Sequence, residues 1–257
     1  MDFSAYTDDL EQQAISTPGV RGIVLLGSTS QAGASRRDEW SDHDFYAVLD
    51  SGAEDDLRRR LPFLPHPERI VLVAREGRDG CCVLYDDGHQ LEFGAGTTAE
   101  LGSAQLAAHE ILVGDDETRG WAAAAAARGA AFVSESAVDA VGLALVKLLV
   151  GAGRAQRGEV LSASAFVRGY AVAFLALAVR QRKAPITQSA DRFDPCRRFE
   201  ADYPEIARQI NDALSGSVPQ VARRLLSILR RELEPGWSDF PTAAADLVSS
   251  RLSSLSD

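Results

Sequence analysis

Cysteine is scarce in this chain of 257 residues: Cys81, Cys82 and Cys196 are all it has. Two of them are adjacent and none stands in a C-x-x-C pair. The sequence therefore offers neither a disulfide framework nor a thiolate zinc site, and a reducing cytoplasm is the expected home. The four histidines lie apart, with no metal-ligand spacing. Basic residues are outnumbered, 27 against 37 acidic, for a formal charge of −10. A protein that tracks long nucleic acid needs a basic stripe to release counterions, so no such partner is expected. No apolar run reads as long and charge-free enough to cross a bilayer, so no membrane partner is expected either. The start, Met1-Asp2-Phe3-Ser4, lacks the basic-then-apolar pattern of a signal peptide. There is no G-x-x-x-x-G-K-[ST], which argues against a P-loop kinase.

What is present is ordinary globular material, 46% hydrophobic and 25% charged, in a length that suits one large domain or two modest ones. Residues 3–16 read as a helix, with Phe3, Leu10 and Ile15 near one face and Pro18 past its end. Val20–Leu26 reads as a buried strand ending in Gly27-Ser28. Residues 29–41 read as a loop with at most one helical turn, and His43–Leu49 as a second strand. Ala53–Leu61 predicts a short charged helix, stopped by a proline-rich stretch. Arg69–Ala74, Cys81–Tyr85 and His89–Phe93 predict three more strands, the last two joined at the turn Asp86-Asp87-Gly88, and Glu110–Val113 a further one. Beyond residue 130 the long segments have helical periodicity: Ala137–Val150, Ala163–Arg182, Tyr203–Ser215 and Val218–Leu233. The expected organisation is α+β: a domain over 1–128 with a small mixed sheet flanked by helices, then an all-helical bundle over 129–257.

One constellation carries chemistry. Transfer of a nucleotidyl group from a triphosphate needs metal ions to neutralise phosphate charge and main-chain donors to hold the phosphates in line. Magnesium takes carboxylate oxygens and keeps several waters, so two or three carboxylates on a rigid sheet suffice. Gly27 lets the backbone turn tightly against a phosphate, and Ser28 can offer its N–H and hydroxyl. Asp42 and Asp44 stand two apart at the start of a strand, so the period of two puts both on one face. Glu92 is a lone charge in an apolar strand, where a carboxylate is costly unless paired or metal-bound. It is the candidate third acid. Lys147, inside an apolar helix, either reaches a nucleotide phosphate or snorkels from a mostly buried helix.

The stretch "LLGSTSQAG", followed by "DEWSDHDFYAVLD", resembles the DNA polymerase beta-type nucleotidyltransferase superfamily, and within it the antibiotic nucleotidyltransferases that modify aminoglycosides and lincosamides. The resemblance covers the first half by motif and the second only by its helical character; "DPCRRFEADYPE" at 194–205 is a looser match. The third acid is Glu here where many relatives have Asp. The resemblance implies Asp42, Asp44 and Glu92 as metal ligands for two magnesium ions, and Gly27 and Ser28 at the triphosphate. It also implies a helical domain that helps to form the acceptor cleft. The expected reaction is attack by the hydroxyl of a small cationic molecule on the α-phosphate of ATP or another nucleoside triphosphate. Glu92, Glu110 and Glu135 are the candidate bases. A toxin-like relative that modifies a protein or a tRNA end is the main alternative. Two further readings remain open. One is a dinucleotide-binding unit at Gly94-Ala95-Gly96-Thr97-Thr98-Ala99, with Asp115 and Asp116 downstream. The other is a regulatory protein that keeps the fold without turnover.

Overall fold

A computed structural model describes residues 2–187 and 191–255. The chain forms two compact units, Met1–Phe132 and Val133–Asp257.

The first unit is built on a six-stranded mixed sheet in the order β3-β4-β5-β2-β1-β6. Helix α1 (Phe3–Ser16) is N-capped by Asp2, whose side chain accepts from the Ala5 N–H. Its Tyr6, Leu10 and Ala14 recur four residues apart and are buried. Strands β1 (Val20–Leu26) and β2 (His43–Leu49) pair antiparallel. Helix α2 (Glu54–Arg60) carries Glu54, Asp55 and Asp56 in its first turn and Arg58, Arg59 and Arg60 in its last, the order that the helix dipole favours. Strands β3 (Ile70–Glu76), β4 (Gly80–Tyr85) and β5 (Gln90–Gly96) form an antiparallel meander. The Asp86-Asp87-Gly88 turn joins β4 to β5 with Gly88 at φ +86°. Strand β5 then lies parallel to β2, and β6 (His109–Gly114) closes the other edge against β1.

The two faces of the sheet bury different things. One face gathers Tyr6, Leu10, Phe45, Ala47, Leu57, Phe63, Val83, Leu91 and Phe93 into a core with α1 and α2. On the other, α3 (Asp116–Ala130) sets Trp121, Ala122 and Ala125 against Val24, Val48, Leu101 and Leu106. The Trp121 indole N–H donates to the Leu101 carbonyl at 3.1 Å. Asp115 caps α3 through the Thr118 N–H and is ion-paired to Arg21.

The second unit is helical: α4 (Ala137–Gln156), α5 (Val160–Ser164), a π-helical turn Ala165–Tyr170, α6 (Ala171–Arg182), α7 (Phe199–Asp202), α8 (Pro204–Ala213), α9 (Val218–Leu233) and α10 (Thr242–Ser253). Its core runs along α4 through Ala140, Val141, Ala144, Leu145, Leu148 and Ala152. A methyl group at Gly151 would lie 2.5 Å from Val167, so glycine sets the close approach of α4 to the π turn. Ser217 and Gln220 make a capping box at the start of α9.

The structure departs from the sequence reading in three places. The single helix expected over 163–182 starts at Val160 and is interrupted by the π turn. Helix α10 was not expected at all, because its Ala245, Val248 and Leu252 are a sparse apolar stripe among serines and alanines. The continuous run Val160–Arg182, 23 residues with a window of mean hydropathy 1.7, is long and apolar enough to cross a membrane by length and composition, contrary to the expectation that no such run exists. Its Ala163, Val167, Ala171, Leu175, Ala178 and Val179 belong to the helical core. Arg168 ties it to the carbonyls of Leu214 and Gly216. Packing inside the helix bundle accounts for the apolarity of these residues, whereas Val160, Leu161 and Tyr170 are exposed.

Candidate active site

The site begins where β1 ends. Gly27 has φ +52°, a left-handed conformation that glycine adopts without strain. Its N–H donates to the Ala108 carbonyl at 2.9 Å, and its carbonyl accepts from the Ser30 hydroxyl at 2.8 Å. Gly33 comes so close that a Cβ there would sit 1.8 Å from the Gly27 oxygen. The Arg37 guanidinium donates to the Ser28 and Thr29 carbonyls and lies over the Phe3 ring at 4.1 Å. On β6, Glu110 accepts from the Gln31 N–H at 2.6 Å. The turn is thus fixed by side chains on both sides, and Ser28 stands half-buried within it.

Thr29 joins this turn to the acidic pair. Its hydroxyl accepts from the Asp44 N–H at 3.0 Å and donates to the Asp42 carbonyl at 3.3 Å. Between the two aspartates, His43 is fully buried. It stacks on Phe3 at 3.7 Å, meets the His89 ring at 4.8 Å and hydrogen-bonds Thr7 through Nε2 at 2.9 Å. Burial, helped by His89 and Arg37, lowers its pKa to about 3, so the imidazole is neutral. His43 therefore pins the start of β2 to α1, while the next residue, Asp44, turns to the half-exposed side of the strand.

The parallel register places Asp44 opposite Glu92 and Tyr46 opposite Gly94, and on β4 Cys82 stands opposite Glu92. A row of Asp44, Glu92 and Cys82 thus crosses three strands on one face. Asp44 and Glu92 of this row line a cleft of about 310 Å³, together with Tyr46, Glu76, Asp79 and Glu100, among others. Burial, together with the charges of Glu92, Glu76 and Asp42, raises the Cys82 pKa. Burial and the Asp44 charge raise that of Tyr46. Arg58 neutralises one end of the cleft by bonding Asp79 at 2.8 Å and Glu100 at 2.9 Å. Among the described residues, the side chains of Glu76 and Glu92 make no hydrogen bond and no ion pair.

An all-oxygen set of this kind suits magnesium, which is held by one or two carboxylates and completed by phosphate oxygens and water. Asp44 and Glu92 supply such a pair. Among the described residues no three His, Cys, Asp or Glu side chains gather as a ready ligand set, so Asp42 is not drawn into one with them.

The remaining candidates belong to other elements. In the second unit, Lys147 is half-buried on α4, its ammonium 5.2 Å from the Phe166 ring centre and 5.8 Å from that of Tyr170. Glu135 is exposed just before α4. The segment 194–205 is organised by the buried ion pair of Asp202 with Arg180 at 2.5 Å, with Arg180 also donating to the Pro195 and Arg197 carbonyls. The glycines of Gly94–Ala99 do not cradle a dinucleotide. They lie within β5, where a Cβ at Gly94 would meet the Tyr46 ring at 2.6 Å and one at Gly96 would meet Glu100 at 2.9 Å. No helix opens behind them, only a one-turn 3-10 segment, Glu100–Ser103. Asp115, the would-be ribose ligand, is a helix cap.

Thr29, Ser30, Gly33 and Arg37 were missed from the sequence. Their only signal there is the density of small hydroxyl residues and glycine after Gly27, which any loop could carry.

No family model and no curated protein matches the chain. Among solved structures, an aminoglycoside 6-adenyltransferase from Bacillus subtilis is similar to it, with 100% of this chain and 94% of that one covered, at 10% identity and a TM-score of 0.30. A superposition this loose bears neither on the site nor on the substrate.

Proposed function

We propose that the first unit is a metal-dependent nucleotidyltransferase, which moves a nucleoside monophosphate, AMP from ATP as the leading case, to a hydroxyl of a small cationic molecule such as an aminoglycoside or lincosamide, with pyrophosphate as the leaving group. One observation carries the reading: Thr29 couples the Gly27-Ser28 turn to Asp42 and Asp44, on the strand beside Glu92. On that reading these are a phosphate-holding turn and a carboxylate pair built as one piece.

In this reading Asp44 and Glu92 would hold magnesium together with oxygens of the triphosphate, and Asp42, which stands outside a ready ligand set with them, would complete the site only by moving toward them. The metal supplies charge neutralisation at the phosphates and a lowered pKa for the attacking oxygen. The Gly27-Ser28 turn orients the triphosphate, with the Ser28 N–H and hydroxyl as donors. Glu92, exposed and unpartnered, accepts the proton of the acceptor hydroxyl, and Glu110 is occupied with the Gln31 N–H. The charge balance supports a cationic acceptor, since the first unit holds 23 acidic and 11 basic residues.

The test is a thermal-shift panel of ATP, GTP, CTP, UTP and NAD, with and without magnesium. The expected result is stabilisation by a triphosphate only when the metal is present, because a ligand that binds only the folded state raises its melting temperature. Stabilisation by NAD, or by triphosphate regardless of metal, would count against the proposal.

A further inference from the structure

Trp40 stands two residues before Asp42, and 87% of it is exposed. The other two tryptophans, Trp121 and Trp237, are buried. An indole left in water forgoes a large apolar contribution to stability, and tryptophans concentrate where a ligand or partner covers them. This one is not on a slack loop. Asp38 accepts from the Trp40 N–H at 2.9 Å and from the Ser41 hydroxyl at 3.2 Å. The Asp38 N–H in turn donates to the Ser41 hydroxyl at 2.9 Å, and the Ser41 N–H to the Asp38 carbonyl at 3.2 Å. One residue on, the Asp42 carbonyl is held by Thr29. No ring or cation of the described residues lies against the indole.

The charges around it indicate what it meets. In the chain, Asp38, Glu39 and Asp42 flank it against Arg36 and Arg37, and Arg37 is turned away to the Phe3 ring and the Ser28 and Thr29 carbonyls. A triphosphate would be repelled there. An ammonium-bearing ring would be drawn in twice, by the carboxylates and by the negative face of the indole, and tryptophan is the strongest of the aromatic side chains for that contact.

We infer that Trp40 is the specificity platform for the acceptor, stacking on an amino-substituted ring and presenting its hydroxyl beside Asp42 and Asp44. This rests on the nucleotidyltransferase reading for the hydroxyl, but not for the binding.

The experiment titrates the full chain with tobramycin, a polyamino sugar, and with sucrose, a neutral one, and follows tryptophan emission. The same samples are melted with and without magnesium and ATP. The expected result is a saturable emission change with tobramycin and none with sucrose. The dissociation constant should rise about two- to thirtyfold in Trp40→Leu, the range of an aromatic cation contact, and less in Trp40→Phe. The melting temperature without ligand should be unchanged in both variants, as a structural role would not allow. Equal tobramycin affinity in Trp40→Leu and the native chain, or no response of the native chain to tobramycin, overturns the inference. If magnesium and ATP still stabilise the chain in that case, the nucleotidyltransferase reading survives it. A Trp40-dependent tobramycin response without any effect of magnesium and ATP upholds the platform and removes the transferase.

Discussion

Replacing Thr29 with valine keeps the shape of the side chain and deletes only its hydroxyl. The residue is 3% exposed, so water does not take the place of the lost oxygen. Two backbone groups lose their partner, the Asp44 N–H at 3.0 Å and the Asp42 carbonyl at 3.3 Å. A neutral hydrogen bond contributes about 1 kcal/mol net, and a buried group left unmet costs about 1–3 kcal/mol. The longer of the two bonds is the weaker, which places the total near 1–3 kcal/mol. The larger effect is expected on activity. Without the hydroxyl, the side-chain link between the start of β2 and the Gly27-Ser28 turn is lost and only the β1–β2 pairing further along remains, and a displacement of about 1 Å between groups that must act together can cost about a hundredfold in rate. The expected result for Thr29→Val is a melting temperature lowered by several degrees and transfer of α-labelled nucleotide down by about ten- to a hundredfold. Thr29→Ser, which keeps the oxygen, should stay near the native values. Equal melting temperatures and equal transfer rates for the Val and Ser variants would refute the idea that this hydroxyl couples the turn to the acidic pair.

Asp44→Ala should abolish transfer and leave the melting temperature almost unchanged, since a cleft carboxylate contributes little to folding; retained transfer by the purified variant would remove Asp44 from the metal site. Gly33→Ala should disrupt the turn, because its Cβ would lie 1.8 Å from the Gly27 oxygen. Magnesium-dependent binding of triphosphate should then fall more than tenfold, and unaltered binding would show that the turn does not hold phosphate. Glu100 concerns pH. Burial raises its pKa, but the Thr97 N–H and the Arg58 guanidinium outweigh this and hold it below its ordinary value. A carboxyl depressed in the folded state stabilises above its unfolded pKa, about 4.3, and that stability is lost as pH falls through the lower native value. Glu100→Gln should therefore flatten the acid side of the stability curve below about pH 4.3, and an unchanged acid limb in melts across that range would contradict the assignment.

The strands nearest the site were legible because their signals are local. Val20–Leu26 and His43–Leu49 occupy the positions that the sequence indicated: each is a dense apolar run bounded by residues that cannot extend a strand, and apolar density next to turn residues is a property of neighbours in the chain. The same holds for α1, for the Asp86-Asp87-Gly88 hairpin and for α9, whose proline and capping box mark its start. The mixed α+β character followed from these pieces. Helix α10 was missed because its apolar stripe is thin, and the π turn because nothing in Ala165–Tyr170 breaks helical periodicity.

What the sequence could not contain was which strand lies beside which. That β5 returns parallel to β2, and so places Glu92 opposite Asp44, depends on the order β3-β4-β5-β2-β1-β6. That order is chosen by burial of the whole α1–α2 face at once. His43 gave no sign of being the buried member between two acids, since its environment of Phe3, Thr7 and His89 comes from α1 and the start of β5. Gly94 and Gly96 looked like a phosphate loop until the side chains above them, Tyr46 and Glu100, supplied another reason for having no Cβ. Residue type and spacing along the chain thus determined which groups could do chemistry. Only the long-range packing of strands and helices, which answers to the burial of many residues together, decided which of those groups meet.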